Sequence, residues 1–196
     1  MTRGLKFVVA LLALAIGLAA YATLHISSRA RETPSAGEAW LAHRLRSLSI
    51  PKEARAAQNP FTSSPELLQE ATHHFADHCA RCHGNDGGGE TEMGRHLYPR
   101  APDMRLAATQ NLTDGELYYI IHNGVRWTGM PAWGDADRDQ DSWKLVLFIR
   151  HLPRITPEEI KTMEHFNPRS AVDIEEEKAE QDFLNGGSNS NDDHKH

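Results

Sequence analysis

The chain has 196 residues, of which 39% are apolar, a low share for a single compact core of that length. Its two cysteines exclude a disulfide-rich scaffold and a four-cysteine zinc or iron–sulfur site. A net charge of −6 argues against a nucleic-acid binder that works by charge alone; residues 171–196 hold eight acidic residues and two lysines, so the rest of the chain is balanced.

The first segment, residues 1–24, reads as a membrane anchor or signal. Arg3 and Lys6 flank an apolar run from Phe7 to Leu24, which would be about 27 Å long as a helix. A bilayer core is about 30 Å thick, so the run can span it with slight adjustment. A cleaved signal is the competing reading, because Ala20-Tyr21-Ala22 resembles a cleavage site. A buried soluble helix is the third reading, and it would need a larger core. The first two carry the rest of the chain out of the cytoplasm, since the positive end stays inside.

Residues 25–64 read as a linker with a short helix. Pro34, Ser35 and Gly37 mark a break. Trp40, Leu41, Leu45 and Leu48 then recur at helical spacing within Glu38–Leu48, beside Arg44 and Arg46. Such a helix could lie on a membrane surface. Packing on the following domain is the favoured expectation.

Residues 65–153 read as the folded domain. Ser64 is a candidate N-cap for a helix opening at Pro65, with Leu67, Leu68, Ala71 and Phe75 on one face. A loop-rich stretch runs from Gly84 to Gln110. Thr113 and Glu116 have capping-box spacing for a helix to His122. A third helix is expected over Asp141–Leu152, strongly apolar through Trp143, Leu145, Val146, Phe148 and Ile149. No segment alternates with period two for long, so the fold class is all-α. Residues 154–196 read as an acidic, partly disordered tail. Thr156 and Pro157 could open one more helix to Phe166, and disorder is expected from Asn185 onward.

The cysteines stand in Cys79-Ala80-Arg81-Cys82-His83. C-x-x-C-H is the attachment signature of a c-type haem. Two thiols three positions apart can each form a thioether to a porphyrin vinyl group, and the next imidazole reaches the iron from the same face. Three other readings compete. A redox dithiol would need a βαβ context, a disulfide here would close a very small loop, and zinc would need a convincing fourth ligand. Attachment outside the inner membrane agrees with the export segment.

With this motif at the end of the first helix, residues 65–153 resemble a single-haem class I cytochrome c. The resemblance implies one covalent haem c with its iron. Ala71, where the family usually has glycine, and Phe75 would meet the last helix, with Trp143 as the favoured partner and Phe148 second. The distal ligand would be Met130, in Thr128-Gly129-Met130-Pro131-Ala132-Trp133, which resembles the family's distal loop. Met1, Met93, Met104 and Met163 are less suitably located. A proline carbonyl would accept the His83 ring proton, with Pro102 favoured over Pro99. Arg95, Arg100, Arg105, Arg126 and Trp127 could approach the haem carboxylates.

Cofactor-binding residues are therefore expected at Cys79, Cys82, His83 and Met130, with His83 and Met130 on the metal. Such six-coordinate ligation implies a one-electron carrier rather than an enzyme. The expected setting is the bacterial inner membrane, single-pass with the haem domain in the periplasm, or soluble periplasm after cleavage. The expected partners are redox proteins and the membrane. One alternative is the haem subunit of a larger dehydrogenase or oxidase. A less favoured one is a haem peroxidase or ligand sensor, for which no acid/base pair over the iron is evident.

Overall fold

The structure is a computed structural model that describes residues 2–25, 29–30, 32–135, 139–169 and 171–184. Among the described residues every regular element is helical. Helix α1 spans Arg3–His25, and its large apolar side chains from Leu5 to Tyr21 are exposed, Phe7 at 69%. It is the one described helix long and apolar enough to cross a membrane.

Helix α2 is Ala36–Ser49. Ser35 is its N-cap and forms a capping box with Glu38, so the sequence break ends at Ser35 and Gly37 lies inside the helix. The helix lies against the domain, but not through its leucines. Leu41, Leu45 and Leu48 are exposed, while Ala39, Arg46 and Ser47 on the other face are partly covered. Tyr98 Oη donates to Glu38 Oε1 at 3.0 Å, tying α2 to the loop beyond the cysteines.

The chain between α2 and the first core helix is also built into the domain. Ile50 is buried, and the short helix α3, Lys52–Ala56, packs on the helix that opens at Asp114. Gly115 makes that approach possible: a Cβ there would sit 1.9 Å from the Ala54 carbonyl oxygen. Arg55 Nε pairs with Glu116 Oε1 at 3.0 Å, and Asn59 Nδ2 donates to the Trp143 carbonyl at 2.9 Å.

The core frame is three helices. Helix α4, Pro65–His74, starts as its sequence implies: Ser64 accepts the Leu67 N–H and Pro65 opens the first turn. It continues through a π-helical turn, Phe75–Cys79, into α5, Ala80–His83. Short helices α6, Glu92–Arg95, and α7, Ala107–Gln110, interrupt the loop region. Helix α8 is Asp114–Asn123, with the Thr113–Glu116 capping box in place, and α9 is Asp139–His151. Helix α9 packs on both α4 and α8.

The contact expected between Phe75 and Trp143 is instead made by Phe148. The Phe75 and Phe148 rings lie 4.6 Å apart at 44°, and both are almost fully buried. Trp143 stacks on Tyr118 of α8 at 4.1 Å and 12°. Five residues separate 143 from 148, which turns them about 140° apart on a helix, so they serve different neighbours.

The segment after α9, counted with the tail on composition, docks at its start. Helix α10, Pro157–Met163, carries a Thr156–Glu159 capping box and sends Met163 fully into the core. Phe166 stacks on His73 at 3.8 Å. The acidic stretch forms helix α11, Ala171–Leu184. The disorder expected from Asn185 onward falls outside the described residues.

Candidate functional site

One wall of the site is set by the π-helical turn. The extra residue rotates everything after it by about 100° relative to a regular helix. Ala71 and Phe75 therefore stay in the core, while Cys79, Cys82 and His83 come round to a single cavity. No residue type encodes such a turn, so the regular helical pattern gave no sign of it.

The helix ends at Gly84, and the next loop is folded back under His83 by backbone bonds. Gly89 N–H donates to the His83 carbonyl at 2.8 Å, and Met104 N–H to the Gly87 carbonyl at 2.9 Å. Gly89 has a φ of +76°, and a Cβ there would lie 2.3 Å from the Ala101 carbonyl oxygen, so only glycine lets the 101–102 backbone come this close. This brings Pro102 to His83. Burial pushes the His83 imidazole below its usual pKa, and the Pro102 carbonyl works in the opposite direction. The buried Nδ1 closes no hydrogen bond of good distance and angle together, which leaves Pro102 as its neighbouring acceptor.

The loop between α8 and α9 also lines the cavity. Val125 N–H donates to the Met130 carbonyl at 3.0 Å, and Met130 N–H donates to Thr128 Oγ1 at 3.1 Å. Trp133 N–H returns to the Ile121 carbonyl at 3.1 Å. Met130 is thus held at both backbone groups, with its side chain on the cavity.

Trp127 in this loop has a φ of +61° and is 90% exposed. Thr128 N–H donates to the Val125 carbonyl, so Trp127 is the third residue of a type II turn, a position that favours glycine. The left-handed backbone costs a side chain about 1–2 kcal/mol, and little packing offsets it here. Trp127→Gly should therefore raise stability by about 0.5–1 kcal/mol after its own entropic cost, read as a small rise in Tm.

These segments line one cavity. Cys79, Cys82, His83, Pro102 and Met130 all line it, as does Pro99. Met104, which the sequence set aside, lines it too and is buried. Of the arginines singled out for the haem carboxylates, Arg100 reaches the lining. The sequence missed Arg46, which enters from α2, outside the expected domain.

The chemistry of the cysteines argues against a redox dithiol or a zinc site. Burial, with Cys82 adding to it, pushes the Cys79 thiol up to about 12. Reactive dithiols have depressed thiol pKa values. Among the described residues no group of three or more His, Cys, Asp or Glu is arranged to hold a metal ion. A mostly apolar cavity lined by two thiols, an imidazole and a thioether fits a flat apolar macrocycle with a central metal.

A helical frame around such a cavity is the architecture of a c-type cytochrome domain. Residues 66–149 match the family model described as cytochrome C oxidase, cbb3-type, subunit III, and this part of the chain is a cytochrome c family domain. The chain is 35% identical over 91 residues to the "Cbb3-type cytochrome c oxidase subunit FixP" of Rhizobium meliloti (strain 1021). It is 30% identical over 90 residues to the "Cbb3-type cytochrome c oxidase subunit FixPc" of Rhizobium leguminosarum bv. viciae. Each match covers 46% of this chain and 29% of the relative. The family indicates haem c with its iron as the cofactor, and the apolar helix α1 together with these relatives supports a membrane location.

Proposed function

We propose that the chain is a membrane-anchored one-electron carrier with a single haem c, held covalently by Cys79 and Cys82 and ligated by His83 and Met130. The observation that carries this reading is the convergence of all four side chains on one cavity. The bound haem supplies reversible Fe(II)/Fe(III) chemistry, with a potential that methionine ligation raises. The protein does the rest. Burial disfavours the charged His83 imidazole, which suits a ring that gives its lone pair to a metal, and the Pro102 carbonyl is the neighbouring acceptor that would take the ring proton and fix the imidazole's orientation. The doubly bonded Met130 backbone aims the thioether, and the apolar lining keeps water out.

In this reading helix α1 stays in the inner membrane and the haem domain works in the periplasm. The partners are redox proteins, and a second reading makes the chain a haem subunit of a larger oxidase. The observation favouring that second reading is the FixP likeness, whose members are named as oxidase subunits. Co-purification of further oxidase subunits with the full chain would favour it, and a redox-active lone monomer would favour the free carrier.

Reduced-minus-oxidised spectra with a pyridine haemochrome assay test the proposal. One haem c per chain is expected. Met130→Ala should lose the oxidised methionine–iron band; an unchanged ligand signature in that variant would overturn the Met130 assignment.

A further inference from the structure

We propose that helix α2, upstream of the cytochrome domain, completes the haem pocket, with Arg46 supplying the guanidinium that pairs with a haem carboxylate. This rests on the haem c reading above and extends it to a segment outside the matched residues.

Arg46 lines the cavity, and its backbone carbonyl accepts from Ser49 Oγ at 2.8 Å, yet among the described residues its guanidinium has no hydrogen bond and no carboxylate within ion-pair distance. Burial lowers its pKa, and only Glu116 opposes this, through space. Glu116 is committed elsewhere: Oε2 accepts the Thr113 N–H at 2.9 Å and Oε1 pairs with Arg55 at 3.0 Å. A partly desolvated cation on a mostly apolar cavity is costly unless an anion meets it. Haem c brings two carboxylates on an otherwise apolar ring. Arginine suits them, because its planar fork stays charged and binds carboxylate with two hydrogen bonds.

The placement of α2 is also fixed from the domain side. Arg55 donates to the Ser47 carbonyl at 2.5 Å while holding Glu116, and Tyr98 holds Glu38. Arg46 thus belongs to a helix clamped at both ends. Arg100, the other cation on the cavity, is exposed. It can follow a carboxylate into solvent, whereas Arg46 is brought to the cavity by its helix.

The test is the midpoint potential of the full-length, haem-loaded protein. Removing a cation beside the haem favours the ferric form, which carries one more positive charge, so Arg46→Gln should lower the potential. The expected change is about tenfold in the reduction equilibrium, or about 59 mV for one electron. Arg46→Lys, which returns the charge without the planar fork, should restore part of it. An unchanged potential in Arg46→Gln, with one haem per chain, overturns the proposal. If Arg46→Gln matures poorly, an Arg46→Lys variant with partly restored yield supports it, and one as defective as Arg46→Gln overturns it. The haemochrome assay on the unsubstituted chain separates the two claims: no haem c there sinks the proposed function itself.

Discussion

Replacing both Cys79 and Cys82 by alanine should abolish haem signal on a denaturing gel, while the unsubstituted chain keeps it fully. A thioether survives unfolding; axial ligation and burial do not. Each single variant should retain one covalent link and so keep a gel signal, at lower yield and with a shifted reduced spectrum. Cys79 is the more desolvated thiol, its pKa pushed up to about 12, and it closes the π-helical turn. Burial also pushes the Cys82 thiol up, and the Arg81 cation opposes that shift. Full gel signal in the double variant would mean the cysteines are not the attachment points, and the whole reading of the site would fall with it.

The signals legible in the sequence were short-range ones. Ser64, Thr113 and Thr156 cap the helices they were expected to cap, because a hydroxyl meets a backbone N–H only two or three residues away. The C-x-x-C-H motif is equally local, and with the Met130 loop it marked the lining of the cavity. What escaped was long-range or without a residue code. The π-helical turn leaves the pattern of residue types intact while changing the phase of everything that follows. Arg46 joins a cavity whose other residues lie far along the chain, and no periodicity predicts that. Helix α2 shows the same limit in reverse: its leucine spacing was read correctly as helical, but the face that meets the domain is the other one. On that side Arg55 donates to the Ser47 carbonyl while pairing with Glu116.

Helix α9 posed the same problem at the core, because it buries residues on more than one side. Trp143, Leu145, Val146, Phe148 and Ile149 are all buried, so periodicity could not choose which faces α4. The choice has a measurable consequence. Phe148→Ala should cost about 3–5 kcal/mol, the usual range for removing a buried phenylalanine ring. The damage should also reach the cofactor. Phe75 stands between Phe148 and the cavity, with its ring 6.5 Å from that of His83, so a void behind Phe75 loosens the wall that supports the imidazole. Trp143→Ala should destabilise as well, through loss of the Tyr118 stack, but leave the haem-region circular dichroism nearly native. Equal disturbance of that signal by both variants would mean that the wall is supported by the whole helix rather than by the Phe75–Phe148 contact.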